Sequence, residues 1–302
     1  MKHQKSKKLV VTNLNAEGIK ASKKFYDKMG LKLRKRKKSK KPVAMLLNFT
    51  GDVYASAVDD FSVAVSLACT SLPTGSKVYI KLESGGGTVN GYGLLAYEIK
   101  RLRAAQLHVV VLIDKVAASG GYLAACVADT VIAAPFAYVG SIGVVSEMLN
   151  YNNFLDNHGI GVEQHTAGSK KRSITPLGRV TAEAREVYTQ KLKDIHQTFI
   201  EHVKEHRPMQ NLSKENEALV FSGDYWLASE SYILGLYLVD TIMTSSAFLQ
   251  NEMKTNTIME VTFDYKVKKP WFGVSVASIV DAVFSAIDQR VKGEHESNNI
   301  KM

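Results

Sequence analysis

A chain of 302 residues that is 45% apolar can bury a sizeable core, and its formal charge of +10 raises the question of a nucleic-acid partner. The charge is local: residues 1–41 hold 16 of the 39 Lys/Arg and two acids, Glu17 and Asp27, for a net +14, which leaves the rest of the chain at −4. A slightly acidic body offers no phosphate-tracking surface, so no nucleic-acid partner is expected, and without a run of 18 apolar residues this stretch of chain holds no spanning helix.

Residues 1–41 read as a basic arm. Met1 to Lys8 leads into no apolar segment, so no signal peptide is expected. Leu14 to Lys38 has helical composition with sparse apolar residues, and Leu31 to Lys41 is a charge block that cannot pack. The arm is expected as a solvated linker or as a polybasic segment beside anionic lipid headgroups.

The body begins at Pro42 and alternates strands with helices, the pattern of a parallel sheet. Val43 to Phe49 reads as a strand, Ala57 to Leu72 as a helix stopped by Pro73, and Lys77 to Leu82 as a strand running into Gly85-Gly86-Gly87. Asn90 to Leu102 is a helix, and Leu107 to Ile113 a valine-rich buried strand. Next come Val116-Ala-Ala-Ser-Gly-Gly-Tyr122, a small apolar helix to Ala128, a strand at Thr130 to Ala134 and the tight turn Val139-Gly-Ser-Ile-Gly143.

Beyond residue 150 the pattern loosens. Asn153 to Asn157 reads as a short helix, Gly161 to Thr166 as a strand and Gly168 to Gly178 as a polar loop. Thr181 to His206 is a long amphipathic helix with Tyr188, Leu192, Ile195, Phe199 and Val203 on one stripe, and with His202 and His206 expected on its solvated face. A helix within Phe221 to Leu236, a strand at Thr262 to Val267 and an amphipathic helix at Val274 to Val291 complete the pattern; the tail after Lys292 is polar. Cys69 and Cys126 sit in apolar surroundings and read as small core residues rather than as a disulfide framework.

Chemistry concentrates where two glycine-rich turns follow two parallel strands, since ligands collect at the carboxyl ends of strands in open sheets. Ser119 stands between a strand and a helix, as in a nucleophile elbow, although Ala117 replaces the usual first glycine. The same position suits a helix N-cap serine. Gly85-Gly86-Gly87 lacks the signatures of a phosphate loop but could present two free amides to an oxyanion, or form a plain turn. No metal-ligand cluster or nucleotide motif is recognised, so no cofactor is expected.

A serine nucleophile needs a base. None of the eight histidines has an acid at an obvious orienting position. Lys170 and Lys171 are the alternative, and no Asp or Glu lies between Gln164 and Ala182 to hold a lysine charged locally. Neutrality near pH 7–8 would require about 4 kcal/mol of differential environment. Composition leaves the choice between the two lysines open.

Leu82-Glu-Ser-Gly-Gly-Gly-Thr-Val89, Asp114-Lys-Val-Ala-Ala-Ser-Gly-Gly-Tyr122, Val139-Gly-Ser-Ile-Gly-Val144 and Ala167-Gly-Ser-Lys-Lys-Arg-Ser-Ile-Thr-Pro176 together resemble, in order and spacing, the signal peptide peptidase A family, SohB-type inner-membrane peptidases above all. Gly223-Asp-Tyr-Trp226 and the segment Gly235 to Asp240 extend the likeness, which covers roughly residues 1–250. The resemblance implies an α/β fold of the ClpP/crotonase-like kind, a parallel sheet with flanking helices behind the basic arm. It implies a serine–lysine endopeptidase with Ser119 as nucleophile, Lys171 (the lysine directly before Arg172-Ser173) as general base, and Ser141 orienting the lysine amine. Gly86, Gly87 and the N–H of Gly120 match the oxyanion region. Gly85 departs from the family's usual proline.

The resulting expectation is three segments: a basic arm at 1–41, the peptidase domain at 42–250, and a C-terminal strand, helix and tail at 251–302. The resemblance further implies peptide substrates such as released signal peptides or unfolded membrane-derived segments, a homo-oligomeric ring, and an inner-membrane enzyme with its catalytic domain on the periplasmic side. The family's N-terminal anchor is absent from this stretch of sequence. Two other classes share the fold: a crotonase-type acyl-CoA enzyme, for which only Glu83 stands near the glycines as a carboxylate, and a catalytically inactive scaffold.

Overall fold

The computed structural model describes residues 6–14, 41–168, 171 and 174–266. By internal contacts the chain divides into Val10–Thr262, which holds the candidate site, and a second unit of Met1–Leu9 with Phe263–Met302, of which only the ends of two strands are described. The expected helix at Val274–Val291, most of the basic arm and the polar tail lie outside the described residues.

In chain order the elements are β1 (Ser6–Asn13), β2 (Val43–Thr50), α1 (Val58–Ser71), β3 (Lys77–Glu83), α2 (Val89–Ala104), β4 (His108–Ile113), β5 (Val116–Ala118), α3 (Gly120–Ala125), β6 (Thr130–Ala133) and β7 (Tyr138–Gly140). They continue with α4 (Asn152–Asn157), α5 (Ala182–His206), a 3₁₀ turn (Met209–Asn211), α6 (Lys214–Val220), β8 (Tyr225–Leu227), α7 (Ala228–Ile233), β9 (Thr241–Ile242), α8 (Ser245–Glu252) and β10 (Thr257–Lys266). Seven strands form one sheet in the order β1-β10-β2-β3-β4-β6-β9, and the pairs from β10 through β9 are all parallel. The expected α/β architecture, a mostly parallel sheet with flanking helices, is therefore the one observed.

Alternation along the strands builds a core on each face. Ala44, Leu46, Tyr79, Val110, Leu112, Ile132 and Ile258 cluster with Leu249 of α8 on one side. On the other, Phe49 meets Phe61 of α1 edge-on at 5.6 Å and Tyr92 of α2 at 6.5 Å. Strands buried on both faces read as continuous apolar runs, which is why β2, β3 and β4 are legible in the sequence.

Three elements differ from expectation. Gly161–Thr166 is no strand: its residues are exposed and join no sheet, and extended chain without a partner strand has no ladder bonds to hold it. Ser6–Asn13, expected in a linker, is a strand at the sheet edge beside β10; its Leu9-Val10-Val11-Thr12 run has the β-branched character an edge position rewards. The last strand begins at Thr257 rather than Thr262 and pairs with β2 from Thr257↔Val43. Both cysteines are unbridged, Cys126 buried and Cys69 partly so.

A second, three-stranded sheet, β5-β7-β8, stands beyond the carboxyl ends of the main strands. Its strands are three residues each, too short to carry a periodic signal. It positions the site: β5 ends at Ala118, directly before Ser119, and β7 ends at Gly140, directly before Ser141.

Candidate active site

Ser119 adopts φ 50°, ψ −123°, a left-handed conformation that is uncommon for a residue with a side chain. The surroundings enforce it. The Ser119 N–H donates to Gly140 O at 2.8 Å, tying the residue to β7, while its own carbonyl accepts the Leu123 N–H at 2.9 Å inside α3. Its hydroxyl makes no capping hydrogen bond and has no partner among the described residues. The N-cap role open at this position is therefore not performed by the side chain, and strain concentrated at an unengaged hydroxyl is the pattern of a functional residue.

Opposite stands the triple-glycine turn after β3. Ser84 bridges to Ala117, with Ser84 N–H to Val116 O at 2.9 Å and Ala118 N–H to Ser84 O at 3.0 Å, so the two turns are laced together. Gly86 has φ +95°, and a Cβ there would lie 2.7 Å from Gly120 N and 2.8 Å from the Ser119 Cβ. A Cβ on Gly120 would meet the Tyr92 ring at 2.6 Å. Close approach thus requires glycine at both positions, and at Gly86 the positive φ requires it as well.

Beneath the turn runs a hydroxyl relay that sequence reading did not identify. The Gly86 N–H donates to Ser84 Oγ at 3.0 Å, Ser84 bonds Tyr92 Oη, and Tyr92 Oη donates to Asp52 O at 2.7 Å. Because Asp52 O only accepts, the Tyr92 proton points to it and Ser84 Oγ donates to Tyr92. Burial pushes the Tyr92 phenol above its usual range, so it stays protonated. The relay narrows the oxyanion assignment: the Gly86 amide is engaged, whereas the Gly87 amide has no partner among the described residues and Gly120, as the first residue of α3, has no intrahelical acceptor for its N–H. A signal for the relay exists in Ser84-x₇-Tyr92, but it carries no known meaning without the fold.

Ser141 also has positive φ, 54°, and its N–H donates to Asp224 O at 2.6 Å. His196 of α5 braces the same turn by donating from Nε2 to Ile142 O at 2.9 Å. Ser119, Gly86, Gly87, Gly120 and Ser141 all line one cavity of ≈ 870 Å³. Its walls are largely apolar, from Val53 and Val89 to Val144, Val145, Ile195 and Phe199.

Lys171 is not brought to this cavity. It is exposed in the loop after Gly168, its N–H bonded to Gly168 O at 3.0 Å, and it is not a lining residue. Lys170 lies outside the described residues. His202 and His206, expected on a solvated face, are turned inward: His202 lines the cavity and the His206 side chain is 3% exposed. The reason is that the last turns of α5 bury Phe199 and Val203 and draw their neighbours in with them.

The sequence profile of peptidase family S49 matches residues 101–258, and that of the S49 N-terminal region matches residues 2–99. A probable protease SohB of Buchnera aphidicola subsp. Schizaphis graminum is 38% identical over 231 residues, 76% of this chain and 66% of that one. The probable protease SohB of Haemophilus influenzae is 36% identical over 230 residues, 76% and 63% of the two chains. The chain thus spans about two thirds of the length of these relatives. Among solved structures, the 1510-N membrane-bound stomatin-specific protease in complex with a substrate peptide is 12% identical, covering 80% of this chain and 99% of that chain with a TM-score of 0.45.

Proposed function

The chain belongs to peptidase family S49, and from that premise we propose that it is a serine–lysine endopeptidase whose nucleophile is Ser119. The observation that carries this reading is the strained, unpartnered Ser119 hydroxyl on a largely apolar cavity that Gly87 and Gly120 also line. Ser119 Oγ attacks the scissile carbonyl carbon as Lys171 Nζ, neutral at that moment, takes the hydroxyl proton. The carbonyl oxygen becomes an oxyanion held by the N–H groups of Gly120 and Gly87. Collapse breaks the C–N bond, Lys171 returns its proton to the leaving amine, and a water activated by the same lysine releases the acyl group from Ser119.

Lys171 rests on the sequence motif; its side chain is exposed away from the cavity wall, and the dyad requires that it reach Ser119. Ser141 then orients its amine. The apolar walls suit extended, apolar peptides, in keeping with signal peptides or unfolded membrane-derived segments as substrates. Assembly into a homo-oligomer and a position at the bacterial inner membrane, with the catalytic domain periplasmic, belong to the same proposal; among the described residues no helix is long and apolar enough to cross a membrane. Glu83, the carboxylate a crotonase-type enzyme would need, is paired with Lys115 at 2.9 Å and does not line the cavity. A fluorophosphonate probe tests the reading: labelling of the wild type that Ser119→Ala abolishes is expected, and a folded protein that resists the probe would overturn it.

A further inference from the structure

The last turns of α5 carry His202-Val203-Lys204-Glu205-His206. Residues three and four apart share a helix face, so two imidazoles and a carboxylate converge, with their ligand-type atoms all within 4.8 Å of one another. The two rings lie 4.6 Å apart between centroids. His206 Nε2 stands 4.0 Å from Glu205 Oε1; two ligands each about 2.0–2.2 Å from one zinc ion are themselves no more than about 4 Å apart.

The hydrogen bonds decide what these rings offer. His202 Nε2 lies 2.9 Å from Leu123 O, and His206 Nδ1 lies 2.8 Å from His202 O. A carbonyl only accepts, so those nitrogens carry the protons. In the neutral rings His202 Nδ1 and His206 Nε2 are left with their lone pairs. Anchoring one nitrogen on a carbonyl and presenting the other is how metal-binding histidines are oriented. Two imidazole lone pairs and one carboxylate are a donor set for zinc-class ions.

We propose that His202, Glu205 and His206 form a divalent transition-metal site, for Zn²⁺ or Co²⁺, beside the cavity that holds Ser119, whose wall His202 alone of the three lines. Lys100, 3.0 Å from Glu205, is the competing cation that the ion displaces or shares the carboxylate with. The bound ion would cross-link the final turns of α5, and its remaining position would be taken by water. This site does not rest on the peptidase reading, because its test is a binding measurement.

Untagged full chain is titrated with Co²⁺ and followed by visible absorption. A four-coordinate band that saturates at one ion per chain and is bleached by Zn²⁺ is expected, with a Zn²⁺-dependent rise in melting temperature. Glu205→Gln, at an exposed carboxylate, should weaken binding about tenfold or more, and His202→Asn combined with His206→Gln should abolish it. Absence of both the band and the thermal shift up to about 1 mM metal, where even weak sites fill, would overturn the proposal. Unchanged affinity in Glu205→Gln would overturn it equally, and that variant decides the matter if the double variant fails to fold.

Discussion

The two sides of the proposed site are built by opposite means. On the nucleophile side every position is over-determined: Ser119 is tied to β7, Gly86 and Gly120 leave no room for a Cβ, and the Ser84–Tyr92–Asp52 relay lies buried beneath them. On the other side Lys171 stands exposed, its backbone N–H bonded to Gly168 O. The contrast teaches how a serine–lysine pair can be kept harmless until used. In the proposed mechanism a rigid wall holds Ser119 and its amides ready, as electrostatic preorganisation demands, while Lys171 has still to reach them.

The sharpest way to break this comparison is to remove each partner of the dyad. Ser119→Ala should lower kcat for a peptide or ester substrate by about 10³-fold or more, with circular dichroism and melting temperature unchanged. Lys171→Ala should fall by about 10²–10⁴-fold, again without loss of stability because the side chain is exposed. The double variant should be little worse than either single one, and Lys170→Ala much milder. If Lys170 proves essential and Lys171 dispensable, the register of the loop is other than proposed.

Changes to the rigid wall should instead show in stability as well as in rate. Gly120→Ala forces a methyl into the Tyr92 ring and should cost about 1–3 kcal/mol by denaturant titration. Tyr92→Phe removes the middle of the relay and leaves the buried Ser84 hydroxyl proton without its acceptor, while Asp52 O keeps the Ala55 N–H, for about 1–3 kcal/mol. A Tyr92→Phe enzyme of unaltered stability would mean that the relay does not hold the glycine turn.

The smallest effect concerns pH. The His202 pKa is held down in the folded state, so the unfolded chain binds the proton more readily. The stability tied to its neutral form is present above about pH 6.5, the unfolded value, and is lost as pH falls through the folded pKa. Melting temperatures measured between pH 7.5 and 5.5 should therefore drop more steeply for the wild type than for His202→Gln. His206, Glu205 and Lys100 face the same ring and remain in both proteins, so the difference reports His202 together with its coupling to them.

The sequence by itself determined the strands of the central sheet and the small residues around Ser119. Buried parallel strands must be apolar throughout, and a turn pressed against a helix must be glycine, so both constraints are written residue by residue. The residues likewise singled out Ser119 and the glycine turn, and the family resemblance added Ser141; all of them line one cavity. Only the tertiary structure decided which amides are free, because the bond from Gly86 to Ser84 depends on how two turns meet. It also rejected the strand at Gly161–Thr166, where an extended-looking run finds no neighbour, and supplied β5, β7 and β8, whose three-residue length leaves no period to read. The inward turn of His202 and His206 belongs to the same class. A helical stripe fixes which residues share a face, but how wide a face is covered depends on what packs against it, and that is a property of the assembled fold.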